Sequence, residues 1–179
     1  MTEAGNVYGL ALYDLARSEG FTKQILEELD VLRQSFEAEP GFVKLLSTPA
    51  LTKQERCDIL DNSFRGKLQP YLLNFLKILT EKGYIRYFSH CCEAYRDQYN
   101  RDHGILPVTA VTAVPMTEAQ QKRLREKLEA MTEKTVDLRC RIDPSCLGGV
   151  RLDYDGKRVD DTVSHRMDAI TKALKGTVL

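Results

Sequence analysis

The spacing of apolar residues changes once along this chain of 179 residues, near Gly104, and this change limits the possible folds more than any other feature. Before Gly104, apolar side chains recur every three or four residues, which is the period of a helix packed on one side. After it, residues 105 to 114 and 136 to 142 alternate apolar and polar side chains, as half-buried strands do. The sequence therefore predicts an α+β protein with an N-terminal helical domain, residues 1–104, and a small mixed α/β C-terminal domain, residues 105–179.

Six helices joined by short links are predicted in the N-terminal domain, and they indicate an all-α bundle. The second helix, Thr22 to about Ala38, has one apolar stripe, formed by Ile25, Leu29, Leu32 and Phe36. The first helix, residues 3 to 18, and the fifth, Tyr71 to Lys82, carry more apolar residues than one stripe of roughly 100° requires. Each of these two helices is therefore expected either to lie deep in the bundle or to offer a second face to a partner.

The remaining helices of this domain are recognised by their ends and by their stripes. Pro40-Gly41 stops the second helix, and a short helical turn is expected from Phe42 to Leu46. Thr52 and Glu55 have the spacing of a capping box, which opens the fourth helix. That helix is expected to bury Ile59, Leu60 and Phe64. The sixth helix shows a stripe with spacings of three and four, made of Ile85, Phe88, Cys92, Tyr95 and Tyr99.

In the C-terminal domain, the first strand is flanked by prolines. Because Pro107 and Pro115 cannot donate to a strand ladder, they place the ends of that strand near a sheet edge. Thr117 and Gln120 form a second capping box. The helix that follows is expected to turn Leu124, Leu128 and Met131 inward. Its basic residues are interpreted as a solvated face rather than a nucleic-acid site, and they are Lys122, Arg123, Arg125 and Lys127.

The stretch from Ser145 to Ile170 predicts a hairpin followed by a helix. Gly148-Gly149 allows a turn or a close backbone approach. Val150, Leu152 and Tyr154 then alternate with charged residues, and Asp155-Gly156 is a two-residue hairpin signal. The helix stripe that follows consists of Val163, Met167, Ile170 and Leu174. The predicted order of this domain is thus β-α-β-β-α.

Composition excludes several classes of protein. Hydrophobic residues make up 42% and charged residues 29%, as in ordinary globular proteins. Since 26 basic side chains balance 26 acidic ones without a concentrated basic face, no nucleic-acid partner is expected. No apolar run approaches the roughly 20 residues that span a bilayer. The N-terminal residues MTEAGN lack the features of a signal peptide, so secretion is not expected, and membrane association would come through a partner.

Neither the cysteines nor the histidines indicate a catalytic or metal site. The five cysteines lack metal or redox spacing and are expected to be free thiols in a reducing compartment, mostly buried. His90, His103 and His165 have no metal-ligand spacing, and no phosphate-binding loop is present. A thiol nucleophile at Cys91 or Cys92 beside His90 is disfavoured, because adjacent helix residues do not face each other. No cofactor and no metal are expected.

Several short motifs, in order along the chain, resemble one family. Near the C-terminus these are Asp143-Pro144-Ser145, Leu147-Gly148-Gly149-Val150, Val159-Asp160 and Thr162-Val163. Earlier matches are Tyr8 to Tyr13, Leu46 to Pro49, Asn74-Phe75-Leu76 with Leu79, and Glu81-Lys82-Gly83. Together they resemble the δ subunit of F-type ATP synthases, whose mitochondrial counterpart is the oligomycin-sensitivity-conferring protein. The chain departs from the family pattern at Asp161, where Gly is usual, at Thr162, where Ser is usual, and at Ser164-His165, where bacterial members often carry Arg.

This resemblance implies a non-catalytic peripheral-stalk subunit, which holds the catalytic head against the torque of the rotor. It implies two partners: the N-terminal helix of an α subunit, and the C-terminal region of the b subunits. It also implies a peripheral position on the cytoplasmic face of a bacterial-type energy-transducing membrane. The competing interpretation is a generic helical-bundle adaptor with an unrelated partner.

The family's docking mode implies two groups of contact residues. A groove near Tyr8, Leu12, Phe75 and Ile78 is expected to take the α helix, in the helix-in-groove mode. The alternative is that the first and fifth helices are simply central in the bundle. In the C-terminal domain, Val163 and Met167 are expected to form part of the contact with b, or the core beneath it.

Overall fold

The computed structural model describes residues 3–146, 148–154 and 156–160. The chain divides into two compact units, Met1–Tyr99 and Asn100–Leu179. Within the described residues there are seven α-helices and one mixed four-stranded sheet, which confirms the α+β class. The domain limits predicted from sequence, 1–104 and 105–179, stay a prediction.

The helices that begin in the first unit follow the predicted limits closely. Their bounds are α1 Glu3–Glu19, α2 Thr22–Ala38, α3 Pro40–Ser47, α4 Lys53–Phe64, α5 Pro70–Glu81 and α6 Phe88–Asp102, with a 3-10 turn at Ile85–Tyr87 before α6. Pro40 and Pro70 each occupy the first turn of a helix, where the missing N–H has no intrahelical partner. Pro40, which was predicted to end the second helix, is therefore also the first residue of α3. This helix begins two residues earlier than expected.

The core of the first unit is made by the predicted stripes. All four residues of the α2 stripe are buried, as are Leu12, Tyr13 and Ala16 of α1, Leu46 of α3, Leu60 of α4, and Leu72, Leu76 and Leu79 of α5. Tyr13 and Tyr95 meet edge to face with ring centroids 5.2 Å apart, and the Tyr95 hydroxyl donates to the Thr22 carbonyl at 2.9 Å. Ile59, Phe64 and Tyr99, which were expected inside, are only half-buried and pack against this core.

Side-chain bonds fix α4 at its start and along its length. The Thr52 N–H donates to Glu55 Oε2 at 2.8 Å, and the Glu55 N–H donates to Thr52 Oγ1 at 3.2 Å, so the predicted capping box is confirmed. Further along, Lys77 of α5 donates to the Asp61 carboxylate at 2.7 Å. This bond lowers the pKa of Asp61 and ties α4 to α5.

The second unit contains the sheet. Its elements are β1 Ile105–Thr112, α7 Glu118–Thr132, β2 Thr135–Ile142, a 3-10 turn at Pro144–Cys146, β3 Val150–Tyr154 and β4 Lys157–Asp160. The strand order is β2-β1-β3-β4, with β1 parallel to β2 and antiparallel to β3. β3 and β4 form the predicted hairpin, in which Tyr154 pairs with Lys157. The order of elements in the described residues is β-α-β-β-β. The predicted order did not include the second hairpin strand, β4, and the predicted C-terminal helix lies outside the described residues.

The expectation that β1 lies near a sheet edge is wrong, since β1 has a neighbour on each side. Its backbone shows how Pro107 is tolerated. The carbonyls of Gly104 and Thr112 accept bonds from β2 and from the residue after it, so even-numbered residues of β1 direct their backbone groups toward β2. The nitrogen of Pro107, which carries no hydrogen, therefore points toward the β3 side, and the described pairs between β1 and β3 run from Val108 to Thr112.

Several apolar positions expected inside the second unit are exposed. The Met131 side chain on α7 is 82% exposed, and α7 has no buried residue. Ile142 at the end of β2 is 53% exposed. The small core consists of Leu106, Val108 and Val136, with Leu128, Leu138, Leu152 and Tyr154 packed against it. A periodic pattern identifies the apolar face of an element, but it does not show whether enough neighbouring surface exists to cover that face.

Candidate functional site

One face of α1 is apolar and open to solvent. Gly5, Gly9, Leu12, Tyr13 and Ala16 are buried against the rest of the unit. On the other side, Val7 is 61% exposed and Leu15 is 40% exposed. Exposed apolar side chains grouped on one side of a helix are typical of a site that binds another protein segment.

The exposed face of α1 borders a groove shared with α5. The groove has a volume of about 300 Å³ and is lined by Tyr8, Ala11, Leu12, Leu15, Tyr71, Asn74, Phe75 and Ile78. The four N-terminal residues singled out in the sequence (Tyr8, Leu12, Phe75 and Ile78) thus lie together. Leu12 and Phe75 are 3% and 7% exposed and form the floor, whereas Ile78 is 46% exposed on the wall.

A tyrosine side chain is held in place at each end of this groove. At one end the Tyr8 and Tyr84 rings lie 5.7 Å apart. At the other, the Tyr71 hydroxyl donates to the Glu19 carboxylate at 3.0 Å, and this bond raises the pKa of Tyr71. Because these rings are fixed by contacts within the unit, the groove is formed before any ligand arrives.

The sequence also holds a signal for the lining residues that were not singled out. Leu15 follows Tyr8 by seven residues, and Tyr71 precedes Phe75 by four, so each lies on the same helix face as a residue that was singled out. Asn74 is the one amide in the lining. Such a surface can accept apolar side chains spaced three, four and seven residues apart on an amphipathic helix.

The other two predicted contact residues, Val163 and Met167, lie outside the described residues. In the described part of the second unit, the large apolar side chains that are exposed are Val114, Met131, Ile142 and Val159. They lie on different elements and do not define one groove.

The described residues do not assemble a catalytic centre at the cysteines. Burial raises the pKa of Cys91 to about 11 and raises that of Cys92 further, so both remain thiols at neutral pH. The Nδ1 atom of His90 is buried and has no hydrogen-bond partner among the described residues. No group of three or more metal-ligating side chains occurs among the residues that the structure describes. The same residues contain no helix with the length and apolarity needed to cross a bilayer.

Comparisons with known proteins give one consistent result. Residues 5–174 match the family described as ATP synthase delta (OSCP) subunit. The ATP synthase subunit delta of Alkaliphilus oremlandii is 32% identical over 167 residues, which are 93% of each chain. That of Clostridioides difficile is 29% identical over 174 residues, covering 97% of this chain and 96% of the relative. A chain in the Toxoplasma gondii mitochondrial ATP synthase hexamer shares the fold, with a TM-score of 0.77, 20% identity and coverage of 97% of this chain and 98% of that one.

Proposed function

The chain belongs to the ATP synthase delta (OSCP) subunit family, and from that membership we propose that its N-terminal unit binds the catalytic head through the groove between α1 and α5. The protein is a non-catalytic peripheral-stalk subunit of a proton-translocating F-type ATP synthase, and it links the catalytic head to the membrane sector. The matches extend over nearly the whole chain and give no support to a generic adaptor with an unrelated partner.

The ligand of the groove is the N-terminal helix of an α subunit. The observation that carries this assignment is a preformed apolar groove whose floor, Leu12 and Phe75, is fixed while Ile78 remains open to solvent. An amphipathic helix would cover Ile78 and the exposed face of α1 with its own apolar side chains. The six N-terminal helices act as one bundle, which gives the groove a rigid base.

The C-terminal domain, residues 105–179, binds the C-terminal region of the b subunits and so completes the link. Val163 and Met167 belong to that contact or to the core beneath it. The small core of the described part of this domain supports the proposal that it gains order when b binds. The complete protein lies on the cytoplasmic face of a bacterial-type energy-transducing membrane.

Substituting Ile78 tests the groove. Ile78→Asp places a charge on an exposed wall, so the unit stays folded, while docking of an apolar helix would bury that charge. We expect binding of a synthetic peptide with the sequence of the α N-terminus to weaken by about 100-fold, measured by calorimetry. Val31→Asp is the matched control, because Val31 is 63% exposed on α2 and does not line the groove.

Two results would contradict the groove. One is equal binding by the Ile78→Asp variant and the wild-type chain. The other is equal loss of binding in both variants, which would place the peptide elsewhere on the unit. Thermal denaturation of both variants establishes that each remains folded, so that lost binding is not confused with unfolding.

A further inference from the structure

A second groove lies in the first unit, formed by α2, α3, the 3-10 turn Ile85–Tyr87 and the start of α6. Its volume is about 410 Å³, and it is lined by Phe36, Glu37, Pro40, Val43, Lys44, Ser47, Ile85, Arg86, Phe88 and Ser89. It shares no lining residue with the groove between α1 and α5. The two grooves can therefore be occupied by different segments.

The floor of this second groove is apolar and rigid. Phe36, Ile85 and Phe88 are 8%, 1% and 2% exposed, so only small parts of them reach the surface. The Phe36 and Phe88 rings lie 5.0 Å apart, and Phe36 also contacts Phe42 at 5.7 Å. Side chains held on several sides in this way keep their positions when a ligand binds, so docking costs little conformational entropy.

The rim of the second groove is cationic. Lys44 of α3 and Arg86 of the 3-10 turn are exposed, and no carboxylate of the described residues lies within ion-pair distance of either. Arg86 lies over the Tyr87 ring at 5.2 Å, which leaves its outer edge able to donate. The one carboxylate of the rim, Glu37, already interacts with Arg33 at 3.6 Å.

The two grooves differ in charge. The lining of the groove between α1 and α5 contains no Lys or Arg, and the charged group bonded at its end is the Glu19 carboxylate. We propose that the groove formed by α2, α3 and α6 is a second docking site, which binds an acidic amphipathic protein segment. Apolar side chains of the segment cover Val43 and the aromatic floor, and its carboxylates pair with Lys44 and Arg86.

The test uses the full chain and two synthetic amphipathic peptides with identical apolar residues. One peptide carries Glu at its flanking positions and the other carries Lys. Fluorescence anisotropy measures their binding to the wild type, to the Lys44→Glu/Arg86→Glu variant and to Ile78→Asp. We expect the acidic peptide to bind about tenfold more weakly to the doubly reversed variant, as the loss of two exposed ion pairs implies. Its binding to Ile78→Asp should be unchanged, and the basic peptide should prefer the reversed variant.

Arg125→Glu/Lys127→Glu on α7 is the matched control, since it makes the same change in net charge on exposed cations outside both grooves. Equal weakening by the control would mean that only overall charge matters, and the proposal would be overturned. It would also be overturned if the two peptides bound the wild type alike, or if neither bound. If only the Ile78→Asp substitution weakened binding of the acidic peptide, the peptide would bind in the groove between α1 and α5. Since each groove has its own variant, failure of one assignment is seen separately from failure of the other.

A benzophenone photocrosslinker at position Ser47, an exposed rim residue, tests the site in the purified ATP synthase. The expected product joins Ser47 to a segment in which carboxylates flank apolar residues. A crosslink to a second copy of this chain, to a segment without acidic residues, or to nothing, would contradict the proposal.

Discussion

Gly9 sets how closely α1 and α6 can pack. A Cβ at this position would lie 2.5 Å from the Cys91 carbonyl oxygen and 2.8 Å from the Ala94 Cβ, so one of the helices would have to shift. We expect Gly9→Ala to lower the free energy of unfolding by about 1–3 kcal/mol, as other overpacked sites do. Gly41→Ala is the control, because a Cβ there meets nothing within 4 Å. Urea denaturation measures both, and an equal effect of the two substitutions would show that the contact with α6 does not limit packing.

The five cysteines should differ sharply in reactivity. All are free thiols in the described part of the chain, and Cys140 is exposed while the other four are buried. Since the pKa of Cys91 is about 11, roughly one such thiol in a thousand is ionised at pH 8. We expect iodoacetamide to modify Cys140 first, with the buried cysteines reacting only after unfolding. Mass spectrometry over time measures this, and Cys140→Ser should remove the fast phase. Fast labelling of Cys91 or Cys92 would contradict the buried assignment.

Among the elements, those governed by local rules were predicted best. The α2 stripe, both capping boxes and the hairpin at Gly156 were read correctly, because the residues that determine them are close in sequence. The lining of the groove between α1 and α5 could also be anticipated, since each wall is one helical stripe. The lining of the second groove could not be predicted from the sequence. It combines α2, α3, the 3-10 turn and α6, and no local pattern shows that these elements meet.

The errors in the second unit have the same origin. Pro107 indicated an edge strand, yet β1 has a neighbour on each side, and the nitrogen of Pro107 points away from β2. Met131 continues an apolar stripe, yet it is 82% exposed. In both cases the outcome depends on which neighbour lies opposite, and that is decided by the topology of the whole unit.

The N-cap of α7 should matter more than that of α4. Both helices begin with a capping box, but α4 buries Cys57 and Leu60, whereas α7 buries no residue. Thr117→Ala should therefore lower the free energy of local unfolding of α7 by about 1 kcal/mol, which is the usual contribution of an N-cap. Little tertiary packing is present to compensate for this loss. Hydrogen exchange of the α7 amides measures this. In the Thr52→Ala control, exchange within α4 should change less, and the reverse order would contradict the argument.

The other end of α7 offers a stabilising change. Glu133 follows the helix with φ of 55°, in the left-handed region that an L-residue with a side chain adopts at a cost. Glu133→Gly should raise stability by up to about 1 kcal/mol, because glycine adopts this conformation without that cost. Thermal denaturation of the full chain measures the change. Glu118→Gly, in the first turn of the same helix, is the control and should lower stability instead.

For the whole molecule, the two units differ in how much they bury. The first has a core drawn from every one of its helices, while the described part of the second has a core cluster of Leu106, Val108 and Val136. Ending the chain after Asp160 should therefore leave the N-terminal unit folded and able to bind α. It should abolish coupled ATP synthesis, because the proposed link to b would be lost. The measurement is ATP synthesis in membranes depleted of this subunit, with the full chain as control. Restored synthesis by the shortened chain would contradict a link made at two ends.

The central position of β1 has a consequence for how the protein is made. Ribosomes release the chain from its N-terminus, so β1 leaves the exit tunnel before either of the strands that flank it in the sheet. Its first neighbour, β2, follows only after α7, and its second, β3, later still. During that interval Val108, Ala110 and Val111, which are all buried in the finished sheet, are exposed on a strand without a partner. A pause in translation between β1 and β2 would therefore prolong the exposure of these apolar side chains, and a chaperone that covers them would be useful at that point.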